Sequence, residues 1–163
     1  MIYFHPSYST SLFNQDIMIK LQDLAGEVAS KGTLCPAEVS GTRPDWESWI
    51  VAATKRRTLF AAYLFDNIVS CGTGLPCFIG SELASLPVSA SKVLWEARNR
   101  QAWNTAYNLH LSQWNDGELL ISELWPQPEA DPAVRQRRIE RWLSSVDEFG
   151  MMIYAVTAVT YGP

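Results

Sequence analysis

The chain has 163 residues, of which thirteen are basic and seventeen acidic, giving a net charge of −4 with both histidines neutral. This length suits one domain, or part of a larger one, that buries about 68–70% of its unfolded surface unaided. The charge excludes a surface that binds nucleic acid or anionic membrane as a whole. Cys35, Cys71 and Cys77 are odd in number and lack Cys-x-x-Cys spacing. That argues against a disulfide framework or a zinc site, and for a reducing, intracellular compartment.

Residues 1–14, with Pro6 and four Ser or Thr, read as an irregular lead-in, and MIYFHPSYSTSLF, with no basic start followed by an apolar core, does not read as a secretory signal. From Asp16 to Ser30 the spacing of Ile17, Leu21, Leu24 and Val28 predicts a helix, closed by Gly32. Thr33 to Arg43 is a polar linker. The stretch the chain is organised around follows: Asp45 to Ser70 predicts a long amphipathic helix with Trp46, Trp49, Ile50, Ala53, Phe60, Leu64 and Ile68 on one buried face. Thr42 or Asp45 caps its start and Pro44 suits a first turn, while the glycines and prolines of 71–91 make an ordered connector.

A third helix is expected from Ser91 to about Trp114, with Leu94, Trp95, Ala102, Trp103, Ala106 and Leu109 inward. The Glu118–Leu124 run fits a short helix or a short strand, and the sequence leaves that open. Asp131 then Pro132 match the first positions of a final long helix carrying Ile139, Trp142, Leu143, Val146, Phe149, Ile153 and Val156, with Gly150 as a bend. Its apolar run, Phe149 to Val159, falls short of the roughly 20 residues a bilayer span needs. The abrupt stop after it reads as a fragment of a larger domain. The expected fold is all-α: an irregular bundle of about four main helices over 15–163.

Catalytic motifs are absent: the sequence holds no Gly-x-Ser-x-Gly, phosphate-cradling glycine loop, His-Glu-x-x-His or paired magnesium-binding acids. The chain is therefore not expected to be an enzyme or to hold a metal. His110 reads as a partly buried or capping residue. Within Lys55-Arg56-Arg57, successive side chains point about 100° apart, which puts Arg57 on the apolar stripe and Lys55 and Arg56 away from it. A buried Arg57 needs a carboxylate partner. Arg135, Arg137, Arg138 and Arg141 read as a solvated face. The seven tryptophans read first as core and second as the lining of a cavity for an apolar metabolite, which would make this a stand-alone binding module.

Trp46-x-x-Trp49-Ile50, Lys55-Arg56-Arg57-Thr58 and Tyr63-Leu64-Phe65-Asp66 appear in that order, followed by Gly74-Leu75-Pro76, Glu82-Leu83, Leu86-Pro87, Leu94-Trp95-Glu96-Ala97 and Trp103. Together they resemble the middle homology region of fungal-specific transcription factors, and Trp142-Leu143 and Asp147-Glu148-Phe149-Gly150 are similar to its later helices. The resemblance implies an all-α regulatory domain C-terminal to a zinc-dependent DNA-binding module that is absent here, so zinc and DNA contact belong to the parent family and to no residue of this chain. It implies a nuclear protein whose partners are other transcription-factor domains, the transcription machinery or a small-molecule effector, with no membrane. Trp46, Trp49, Arg56, Arg57, Asp66, Leu94, Trp95 and Trp103 become its structural and regulatory candidates. Ala53-Thr54 stands where the family commonly has Glu-Ser, so position 53 supplies no carboxylate four residues before Arg57, and the partner of Arg57 is left open.

Overall fold

The structure, a computed structural model, describes residues 17, 19, 20, 23, 24, 27, 32–73, 83–125 and 131–161. The lead-in, the Gly74-Leu75-Pro76 run, Cys77 and the prolines at 126 and 128 lie outside them. Of the expected first helix, Ile17, Ile19, Lys20, Asp23, Leu24 and Glu27 are helical. Leu24, placed inward by its spacing, is exposed. Gly32 has φ +77°, the left-handed conformation that a glycine after a helix adopts without steric cost.

A single turn over Pro36–Val39, α1, precedes the 28-residue helix Trp46–Thr73, α2. Asp45 opens α2 by accepting the Trp49 N–H through its carbonyl at 2.9 Å. The first half of α2 buries Trp49 and Ala53 against Leu94, Trp103 and Tyr107. Its second half buries Leu59, Phe60, Tyr63 and Leu64 against a larger core that includes Leu86, Leu119, Ile121, Ile139, Trp142 and Ile153. The long helix is thus the shared wall of two cores, as its aromatic content demanded. At its far end the expected stripe fails: Ile68 is 63% exposed, and Asn67 takes the inward place, donating from Nδ2 to the Tyr63 carbonyl. A straight 3.6-residue helix rotates a fixed residue spacing off one face over seven turns.

The third helix is two helices. Lys92–Trp95 forms α3 and Arg100–Gln113 forms α4, separated at Glu96–Asn99. Asn99 restarts the helix by accepting the Ala102 N–H on Oδ1 at 2.9 Å. That break rotates the second half, so Ala102 is exposed, Leu109 is 58% exposed, and Tyr107 is buried beside Trp103 instead.

The ambiguous Glu118–Leu124 run is partly each of its alternatives. Pro87 and Leu120 form an isolated antiparallel bridge, flanked by Val88 N–H to Leu119 O and Ile121 N–H to Leu86 O, both 2.9 Å. Pro87, which has no N–H to give, sits where the pairing asks none of it. A 3₁₀ turn over Ile121–Leu124 follows. The final helix also divides, into α5, Pro132–Leu143, and α6, Glu148–Tyr161. Asp131 caps α5 as expected, accepting the Ala133 N–H at 2.9 Å. The direction change lies at 144–147, ahead of Gly150. Gly150 has another role, since a Cβ there would meet Val146 Cβ at 2.7 Å and Ser89 Oγ at 2.8 Å. The fold class is all-α, with no strand among the described residues.

Candidate functional site

Two adjacent arginines occupy the waist of α2, between its two cores, and each finds a carboxylate from a different part of the chain. Arg56 and not Arg57 is the more deeply buried, a correction to the single-stripe reading. Its guanidinium grips Glu38 of α1 in two-point fashion, Nη2 to Oε1 at 2.8 Å and Nη1 to Oε2 at 3.1 Å, with side chains 5% and 2% exposed. Nη1 also donates to the Thr33 carbonyl at 2.7 Å, and Glu38 Oε2 accepts the Cys35 N–H at 2.8 Å. Residues 33–38 are thereby tied to α2 through a pair whose hydrogen-bonding groups are largely satisfied, the condition under which a buried ion pair is tolerated. Burial, with the Glu38 charge beside it, pushes the Cys35 thiol up to about 11, so this cysteine stays a neutral core residue.

Arg57 is the less buried of the two. Its partner is Asp147, 2.8 Å from Nη1, and the guanidinium lies 4.3 Å from the ring centroids of both Trp95 and Phe149. Charge and ring quadrupoles act together here. Asp147 was legible only as part of the family pattern, because nothing in its spacing connects it with a helix ninety residues earlier.

A row of rings leads away from the waist. Trp49 and Trp103 are 5.4 Å apart, Trp103 and Tyr107 4.7 Å, Tyr107 and His110 5.4 Å, and His110 and Trp114 6.4 Å. Trp103 is 0% exposed. Burial, with Glu118 close by, pushes the Tyr107 hydroxyl well above its ordinary range. His110 Nε2 meets Glu118 Oε1 at 3.0 Å, which makes it a partly buried pairing residue. Trp46 packs at the edge of the first core with Trp95. Asp66 stands apart from all of these, and burial raises its carboxyl above the ordinary aspartate value.

Three of the four arginines of α5, Arg135, Arg138 and Arg141, are not a solvated face, whereas Arg137 is exposed as expected. Arg138 donates to Glu123 and Asp116 at 2.7 Å each and to the Gly117 and Glu118 carbonyls. Arg141 joins Asp116 and lies 4.8 Å from the Trp114 ring centroid. Arg135 satisfies the carbonyls of Glu123 and Leu124 at the end of the 3₁₀ turn. Sequence alone missed this because Glu123 comes from a run whose conformation it left open and Asp116 from the turn that follows α4.

Two spaces adjoin the ring row. An internal one borders Trp49, Trp114 and Trp142, but its volume is about 30 Å³ and Glu38, Arg56 and Ser89 share its wall. That is room for about one or two waters, which gives the Trp-lined metabolite cavity no support. The second is an open groove of about 420 Å³ between α1 and the C-terminal half of α4. Among the described residues no group of His, Cys, Asp and Glu side chains could hold a metal ion, and no helix is long and apolar enough to cross a membrane.

Residues 13–131 match the model of the fungal specific transcription factor domain. The chain belongs to this family. The matched span, more than half of the chain, holds the α2 hub, both arginines, the ring row and Glu38. No curated protein and no solved structure matches the chain. Of the residues carrying the resemblance, Trp49, Arg56, Leu94 and Trp103 are buried in this fungal transcription factor domain, and Trp46, Arg57, Asp66 and Trp95 are partly so. Asp147, which Arg57 needs, lies beyond the matched span, on the turn before α6.

Proposed function

We propose that this chain is a regulatory domain of a fungal transcription factor, acting in the regulation of transcription by RNA polymerase II without touching DNA itself. The family match laid over the α2 hub is the observation that supports this reading. In the parent family a zinc module contacts DNA, so zinc and DNA binding are assigned to that module and not to this chain, whose net charge is −4. The protein acts in the nucleus, and its partners are other domains of the same transcription factor, the transcription machinery, or a small-molecule effector. Residues 15–163 form the regulatory unit, with Trp46, Trp49, Arg56, Arg57, Leu94, Trp95 and Trp103 holding its shape. We assign it no catalytic role, since a family of this kind works by contact and the sequence carries no acid, base or nucleophile set.

Fusion to an unrelated DNA-binding module upstream of an RNA polymerase II reporter tests the proposal. The fusion is expected to raise or lower reporter output relative to the module alone in at least one growth condition. Equal output across conditions, with the fusion present at the same abundance, would overturn it.

A further inference from the structure

From the groove beside the ring row we infer that this domain has a binding site for a small amphipathic amine, an apolar body carrying one protonated nitrogen. The volume, about 420 Å³, lies within the roughly 300–1,000 Å³ typical of small-ligand sites and is too small for a folded partner. Leu34 and Val39 on one side and Leu111 and Leu120 on the other supply the apolar walls. Val39 is 73% exposed, so this rim stands open to whatever enters.

Charge decides the class. Among the described residues two carboxylates line the groove, Glu38 and Glu118, and no lysine or arginine does. Glu38 is already spent on Arg56 and the Cys35 N–H. Among the described residues the Glu118 side chain meets only the His110 ring nitrogen, at 3.0 Å, and it is partly exposed. A carboxylate accepts about four hydrogen bonds, so Glu118 keeps capacity for a donor arriving from the groove. Arg138 reaches the Glu118 carbonyl and directs its charge to Glu123 and Asp116, and Arg56, which shares the wall of the small internal space with Glu118, directs its charge to Glu38. An ammonium group therefore gains a charge-assisted hydrogen bond at Glu118, whereas a carboxylate meets like charge.

The inference rests on the proposed regulatory role only in making the ligand an effector; binding itself is independent of it. Calorimetric titration of the full chain with 1-naphthylmethylamine, 1-naphthylmethanol and 1-naphthoate, one ring with three head groups, reads binding directly. The amine is expected to saturate at least about tenfold more tightly than the alcohol, and the carboxylate to bind weakest. Glu118→Gln, checked for an unchanged melting curve, is expected to bring the amine to the level of the alcohol and leave the alcohol within about twofold. No saturable binding by the amine, a carboxylate as tight as the amine, or an amine indifferent to Glu118→Gln would each overturn the site. Since the reporter reads regulation and calorimetry reads occupancy, failure of one is distinguishable from failure of the other.

Discussion

Asp147 holds Arg57 with one carboxylate oxygen and the start of α6 with the other. Oδ2 accepts from Arg57 Nη1 at 2.8 Å while Oδ1 accepts the Gly150 N–H at 3.0 Å, the third amide of the helix. One side chain is thus both an N-cap and half of an ion pair whose guanidinium lies against the Trp95 and Phe149 rings. The hub, α3 and α6 meet at this point.

These two duties can be separated. Asp147→Asn keeps a capping oxygen but removes the charge, leaving the partly buried Arg57 without this counter-ion, and is expected to cost about 2–3 kcal/mol. Arg57→Met keeps a stem between the rings and removes the other charge. In a double-mutant cycle measured by urea unfolding, the two substitutions together should cost less than their sum by about 1–3 kcal/mol. Strict additivity would mean that the contact contributes no coupling.

Gly150 is needed for closeness, not for a special backbone angle. Gly150→Ala puts a methyl group within 2.7 Å of Val146 Cβ and 2.8 Å of Ser89 Oγ, so one of the packed segments has to move. The expected loss is about 1–3 kcal/mol, against the small gain an alanine normally gives in a helix. An unchanged or raised Tm would show that the 146–150 turn adjusts freely.

Two aspartates should show opposite pH behaviour. Burial raises the Asp66 carboxyl above 3.8, so the folded state is penalised once Asp66 ionises and relieved as pH falls below that ordinary value. Asp66→Asn is expected to raise Tm at pH 7 by the equivalent of under about 1 kcal/mol, with the gain vanishing near pH 3. At Asp116 burial pushes upward, but hydrogen bonds from Arg141 and Arg138 outweigh it and hold the carboxyl below 3.8. Its contribution is present above that value and is lost as pH falls through the lower folded value. Asp116→Asn is therefore expected to lower Tm at pH 7, again by the equivalent of under about 1 kcal/mol, and to matter less in acid. Paired melting curves from pH 3 to pH 7 check both signs.

The hub was legible because Trp49, Ala53, Phe60 and Leu64 carry a helical period and Asp45 and Pro44 mark its start. Misplacing Arg56 has a specific cause. Trp49, Ala53, Arg56, Phe60 and Tyr63 share the buried face; the predicted stripe holds Trp49, Ala53 and Phe60 as well but, by taking in Ile50 and Ile68, is centred on the side where Arg57 lies. Arg56 falls off the stripe drawn through Ile50 and Ile68, and so reads as outward until its partner is known. That partner, Glu38, belongs to a linker with no periodicity at all. The two divided helices were written in the sequence as Asn99 ahead of Arg100 and Asp147 ahead of Glu148, each a capping residue inside an apolar pattern that seemed continuous. The groove was not legible, since Val39 and Glu118 become neighbours only through the Arg56–Glu38 clamp and the turn at Gly117. Gly117 has φ +88°, which favours glycine at that position.

The central claim, that a folded α2 hub is what regulates, is tested most directly by placing wild type, Asp66→Asn, Gly150→Ala and Asp147→Asn in the reporter fusion and measuring Tm and output on each at matched abundance. Output above or below that of the bare DNA-binding module is expected for wild type and Asp66→Asn, and is expected to decline in step with stability through Gly150→Ala to Asp147→Asn. Output that stays the same across the series while Tm falls, or that equals the bare module throughout, would contradict the account.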